Sequence, residues 1–146
     1  MTDENEQAAF VTAMGDILST WNLPRVTGRV YGRLLISADP VSLDDLGAAL
    51  NSSKGAVSTA VRELVSWGLA RTIPQPGSRR LLVEATGGFE QLLAASHERT
   101  RSFISVLRTG MNSAHDASTQ DRIGEIAEFF EAYVDAGDKM LRGRRA

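Results

Sequence analysis

No cysteine occurs in the 146 residues. That excludes a disulfide framework, a zinc ribbon, an iron–sulfur cluster and a thiol nucleophile. Long apolar runs are missing too: charges interrupt every apolar stretch within a few residues, and nothing approaches the roughly 20 residues of a membrane-spanning helix. The start, Met1 to Gln7, is acidic and lacks the basic and apolar regions of a secretory signal. Asn51-Ser52-Ser53 fits the glycosylation pattern, but without such a signal the match carries no meaning. The chain therefore reads as soluble and cytoplasmic, with no membrane partner. An excess of basic charge is also absent, because 16 Lys and Arg stand against 18 Asp and Glu for a net of -2. Taken alone, that mild acidity argues against a polyanion partner.

Enzyme signatures are missing as well. There is no Walker loop, no GxGxxG after a strand, no GxSxG elbow and no HExxH. Asp44-Asp45 sits at a helix start, where acidic groups favour the helix dipole rather than forming an acid/base dyad. His97 and His115 lack ligand-type spacing and read as an ordinary flank or loop histidine. The chain is read as no enzyme, with no cofactor and no metal. What is present is globular: 42% apolar and 23% charged residues, with 13 Gly and 4 Pro. The length suits one compact domain with a real core.

Periodicity predicts a mainly helical chain. Phe10, Met14, Ile17, Leu18 and Trp21 mark one face of a first helix, about Glu4 to Trp21. Pro24 opens a second to about Ile36, with Val26, Val30, Leu34 and Leu35 inward and Gly28 and Gly32 permitting close helix–helix approach. After the turn Ala38-Asp39-Pro40, Ser42 caps a short helix, Leu43 to Leu50, with Asp45 completing a capping box. Leu43, Leu46 and Leu50 are its inward residues. Ser53 caps the next, about Lys54 to Trp67, and Gly68 fits its left-handed exit. Leu69–Ile73 and Arg80–Glu84 then read as a small β-hairpin around Pro74-Gln75-Pro76-Gly77-Ser78. A long helix runs from Gly87-Gly88 to about Leu107, Gly110 to Ala117 form a loop, and Ser118 with Asp121 caps a last helix to about Leu141. That last helix is apolar on two sides: Ile123, Ala127, Phe130, Val134 and Leu141 on one, Phe129, Tyr133 and Met140 on the other. Two apolar sides need two partners, one of them a second chain.

The two capped helices with a tight turn match a helix-turn-helix, and the hairpin makes it winged. The fold class is thus mainly α with a small β-hairpin wing. Residues 1–37 are N-terminal core and dimerisation helices, 38–86 the winged helix-turn-helix, and 87–146 C-terminal dimerisation helices. In the second helix of the motif Val57, Ala60, Val61, Leu64 and Val65 share an apolar arc. The opposite arc carries Gly55, Ser58, Thr59, Arg62 and Ser66, with Lys54 and Ser53 at the start. Small hydrogen-bonding residues and one arginine suit entry into a major groove. Arg79 and Arg80 at the wing tip suit phosphate or minor-groove contact. Between Ser52 and Val83 five cations face one anion, a local +4, so the remainder carries about -6.

The runs Trp21-Asn22-Leu23-Pro24-Arg25, Gly28-Arg29-Val30-Tyr31-Gly32-Arg33 and Ser53-Lys54-Gly55-Ala56-Val57-Ser58 resemble the GbsR-type branch of the MarR-like transcriptional regulators. So do Arg62-Glu63-Leu64, Trp67-Gly68-Leu69-Ala70-Arg71 and Gly77-Ser78-Arg79-Arg80, the likeness covering roughly positions 15 to 93. The resemblance implies a bacterial, sequence-specific DNA-binding regulator. It would act as a homodimer on a pseudo-palindromic operator, with a small-molecule effector able to modulate binding. DNA contact is expected from Ser53, Lys54, Gly55, Ser58, Thr59, Arg62, Arg79 and Arg80. Dimerisation is expected from Phe10, Met14, Trp21, Phe103, Phe129, Tyr133 and Met140. The competing reading is a winged-helix protein–protein module without DNA binding. Arg25, Arg29 and Arg33 read as a solvated or salt-bridged helix edge, and Arg142, Arg144 and Arg145 as a disordered basic tail.

Overall fold

The computed structural model describes residues 2–145, and the side chains of 3–144. The chain divides between Phe89 and Glu90 into two compact units. The first holds α1 (Thr2–Ser19), α2 (Arg25–Leu35), β1 (Val41–Ser42), α3 (Leu43–Leu50), α4 (Lys54–Ser66), β2 (Ala70–Pro74) and β3 (Leu81–Ala85). The second holds nearly all of α5 (Phe89–Ser113) and the whole of α6 (Ala117–Arg145).

In the first unit α1 packs on α2 through glycines. A Cβ added at Gly28 would stand 2.7 Å from the Met14 carbonyl oxygen and 2.8 Å from Gly15 Cα. The expected close approach is therefore real, and backbone meets backbone. The α1 residues turned inward are Val11, Gly15 and Leu18, with Met14 half-buried beside Gly32. This corrects the α1 stripe, since Ile17 and Trp21 are 55% and 42% exposed and Phe10 is also uncovered. Leu35, expected inside α2, is likewise exposed. The apolar pattern located the helix, but α1 has apolar residues on two edges, and only packing chose between them.

The core of this unit collects Val30 and Tyr31 from α2, Leu46 and Leu50 from α3, and Val57, Ala60, Val61 and Leu64 from α4, with Leu69 and Val83 beyond. Each fully buried Leu or Val side chain contributes about 1.5–3 kcal/mol in apolar transfer. Burial also raises the Tyr31 phenol above its ordinary pKa. Leu43 is only half-buried, and Val65, assigned to the apolar arc of α4, is exposed. Val65 lies at the edge of that arc in the last turn, where no element covers it.

The wing is a three-stranded antiparallel sheet in the order β1-β3-β2 rather than a bare hairpin. Val41 pairs with Val83 and Ser42 with Leu82, while β2 and β3 run in register from Ala70–Ala85 to Pro74–Leu81. The third strand escapes the sequence because it is two residues long and ends on the capping serine. It anchors the hairpin, which would be marginal on two strands.

In the second unit α5 continues through Gly110 to Ser113, so the expected loop shrinks to three residues. Asp116, not Ser118, caps α6: its Oδ1 accepts from the Thr119 amide at 2.7 Å and from the Ser118 hydroxyl at 3.0 Å. These hydrogen bonds, that from Thr119 foremost, hold the Asp116 carboxyl below its ordinary pKa. Ile104, Ala127 and Val134 form the centre of this unit, flanked by Leu107 and Phe130. The basic end is helical rather than disordered: α6 runs through Arg142 and Arg144, and Arg144 pairs with Glu90 at 3.2 Å. The side chain of Arg145 lies outside the described residues. No helix among the described residues is long and apolar enough to cross a membrane.

Candidate nucleic-acid interface

The α3–α4 pair is set by two serine caps. Ser42 Oγ accepts from the Asp45 amide at 3.1 Å and starts α3; Ser53 Oγ accepts from the Ala56 amide at 3.1 Å and starts α4. Between them Asn51 takes the left-handed conformation at φ 51°, and the Ser52 amide donates to the Gly47 carbonyl at 3.0 Å. Asn tolerates positive φ better than most residues, so this turn is encoded locally. Gly68, at φ 77°, ends α4 as expected and turns the chain into the sheet.

With Val57, Ala60, Val61 and Leu64 buried, α4 leaves Ser53, Lys54, Gly55, Thr59 and Arg62 exposed and Ser58 half-buried. The predicted polar face is therefore assembled on one side of one helix. A Cβ at Gly55 would meet nothing within 4 Å, so that position is open to any approaching surface. Arg62 Nη2 donates to Thr59 Oγ1 at 3.3 Å, which biases the guanidinium toward the middle of the face.

The two wing arginines separate. Gln75 O accepts from the Ser78 amide at 3.1 Å around Pro76-Gly77, with Gly77 at φ 72°, the residue arrangement a type II turn requires. Arg79 is exposed on the far side of this turn. Arg80 instead reaches back to the base of α3, where its Nη2 donates to Ser42 Oγ at 3.1 Å and lies 3.8 Å from Asp45 Oδ2. Arg71 is also paired, across the sheet with Glu84. The local +4 thus overstates the field, because the fold brings Asp45 and Glu84, both outside the counted stretch, onto two of the five cations. Ser42 and Asp45 were read as a helix cap alone. Their second task has no sequence signal, since 38 positions separate Ser42 from Arg80.

Elsewhere, Arg25 pairs with Asp16 at 3.0 Å, and Arg29 donates to the Leu50 carbonyl at 3.2 Å. The salt-bridged reading of that edge holds for Arg25. His97 is no flank residue: it is buried, with Nδ1 2.8 Å from Asp138 Oδ1. Of the residues expected at a dimer contact, Phe129, Tyr133 and Met140 are 67%, 60% and 50% exposed, and Phe103, Trp21 and Phe10 are uncovered as well. Met14 instead packs against Gly32. Val106 and Ile126 extend the exposed apolar set. Helical period could have found both, each three residues from a member already named.

Residues 33–81 match the model of the MarR family. The HTH-type transcriptional regulator MmpR5 of Mycobacterium tuberculosis is 35% identical over 82 residues, 55% of this chain and 49% of that protein. The HTH-type transcriptional repressor OpcR of Bacillus subtilis is 26% identical over 113 residues, 75% of this chain and 61% of that protein. This chain thus spans about half to three fifths of those two relatives. A crystal structure of a transcriptional regulator has the same fold, with a TM-score of 0.65, 24% identity, and 96% of this chain matched to 97% of that one. The helix-turn-helix and sheet described above thus give this chain a winged helix-turn-helix fold, and it is over residues 33–81 of that fold that it resembles the MarR family.

Proposed function

We propose that the chain is a sequence-specific DNA-binding transcriptional regulator of the GbsR-type branch of MarR-like proteins. One observation carries the reading: α4 turns a polar face with an exposed arginine outward while its apolar face is locked in a core by two serine caps and a three-stranded wing. A helix held in this way can enter a major groove without local refolding.

In this proposal Ser58, Thr59 and Arg62 meet base edges. Ser53, Lys54 and the amides around Gly55 lie near phosphates, and Arg79 grips the flank. Arg80, expected at the same flank, is already engaged by Ser42 and Asp45. Residues 38–86 are the reading head, and 1–37 with 87–146 serve dimerisation. A homodimer would cover the exposed apolar residues of α1, α5 and α6 and place two reading helices about one DNA turn apart on a pseudo-palindromic operator. A small-molecule effector would act by binding one spacing of the reading heads better than the other. The protein would work in the bacterial cytoplasm.

Selection of bound sequences from random double-stranded DNA tests the reading. It predicts enrichment of a two-fold repeated motif with half-sites about 10 base pairs apart. No enrichment at low salt would instead support a winged-helix protein–protein module.

A further inference from the structure

We infer that Arg80 is a positioning residue that bolts the wing to the start of the helix-turn-helix, rather than a contact to DNA. The inference rests on the DNA-binding reading only for its consequence; the bolt itself is a property of the free protein.

A hydroxyl oxygen has two lone pairs to offer donors. At Ser42 both are in use: the Asp45 amide donates to Oγ at 3.1 Å, and Arg80 Nη2 donates to the same atom at 3.1 Å. Ser42 is 2% exposed, so this oxygen has little water to turn to if either donor leaves. Asp45 Oδ2, 3.8 Å from the guanidinium, supplies the opposite charge. The backbone favours the same arrangement. Arg80 directly precedes β3, whose Leu82 and Val83 pair with Ser42 and Val41, and the Arg80 amide donates to Ser78 Oγ at 3.0 Å. One side chain therefore ties the turn that carries Arg79, the strand β1 and the capped first turn of α3.

The consequence is a division of labour between adjacent arginines. Both side chains reach solvent, Arg80 at 58% exposure; Arg79 would make the flank contact, whereas the Arg80 guanidinium, held on Ser42 Oγ, fixes where that contact is offered relative to α4. Charge at position 80 should matter through Ser42 and Asp45, and only then through DNA.

Two measurements on the full-length chain decide this. In the free protein, amide hydrogen exchange of the β1–β3 ladder and of the Asp45 amide should quicken about fivefold in Arg80→Ala, the scale of one lost hydrogen bond. It should stay at the wild-type rate in Arg79→Ala, and Arg80→Lys should restore part of the protection. On the selected operator, the affinity losses of Arg80→Ala and Ser42→Ala should be non-additive, the double variant binding about as well as the weaker single one. Unchanged exchange in Arg80→Ala overturns the bolt. Additive losses, with a salt slope reduced by about 0.9 in Arg80→Ala alone, identify Arg80 as a direct phosphate contact and overturn the inference equally. If no operator can be selected, the DNA-binding reading fails while the exchange result still decides the bolt.

Discussion

The imidazole Nδ1 of His97 lies 2.8 Å from Oδ1 of Asp138, joining α5 to α6 inside the second unit. Asp138 also holds Arg101, which in turn holds Glu98. Gly137 leaves room for the ring, since a Cβ there would stand 2.6 Å from His97 Cε1 and 2.8 Å from Nε2. We predict that Gly137→Ala and His97→Ala each lower unfolding free energy by about 1–3 kcal/mol, the first through overpacking and the second through a lost buried partner. If strain against the ring is the cause, Gly137→Ala in a His97→Ala background should cost clearly less. Equal costs in both backgrounds, by urea denaturation, would refute the steric account.

Two glycines in the first unit should behave oppositely. Gly28→Ala drives a methyl into the α1 backbone at Met14 and Gly15 and should cost about 1–3 kcal/mol. Gly55→Ala meets open space and should leave stability unchanged or raise it by up to about 1 kcal/mol, the helix-propensity gain. If Gly55 faces DNA, however, the same substitution weakens operator binding while Tm is kept. A Gly55→Ala protein with full operator affinity would remove that position from the interface.

Arg62 is the sole arginine of α4. Arg62→Ala should weaken operator binding by about 1–3 kcal/mol and relax preference at one base pair of each half-site. Thr59→Val, which removes the hydroxyl beside the guanidinium, should give a smaller loss at the same base pair. Anisotropy titrations against single-base operator variants read both effects. An equal loss on every sequence would mean a phosphate contact instead.

The Asp116 cap gives a pH dependence whose sign is fixed. Its folded-state pKa lies below the ordinary carboxylate value, because Thr119 and Ser118 donate to the charged form. Its contribution is then present above the unfolded value and disappears as pH falls through the lower, folded value. Asp116→Ala should therefore melt below wild type at pH 7, and the gap should narrow as pH falls below the ordinary carboxylate range. A gap of the same size at pH 7 and pH 2 would rule out the ionised cap as its source.

The uncovered aromatic side chains of α6 offer a test of assembly. Phe129→Glu together with Tyr133→Glu places charge where both rings are more than half exposed, so the monomer fold should tolerate it. A homodimer through this face should then dissociate in light scattering at micromolar concentration. Wild-type protein that is already monomeric there, or a double variant that stays dimeric, would remove α6 from the interface.

Much of the α3–α4 pair and the turns around it could be derived from sequence because its determinants are local. Ser42, Asn51, Ser53 and Gly68 encode two helix starts and two helix ends within a few bonds of where they act, and the period of Val57, Ala60, Val61 and Leu64 fixes which side of α4 is free. The α1–α2 glycine contact was equally plain, since only a missing Cβ allows that approach. Tertiary structure decided what depends on distant partners. It chose Val11 and Leu18 over Phe10 and Ile17 as the inner edge of α1, because α2 covers only one of two apolar edges. It added β1 to the wing, buried His97 against Asp138, and brought the Arg80 guanidinium to Ser42. The absence of cysteine and the balance of charge were fixed by composition. Where each charge lands was not, because Coulomb partners are set by separation in space, and the chain brings Asp45 to Arg80 and Glu84 to Arg71 only by folding.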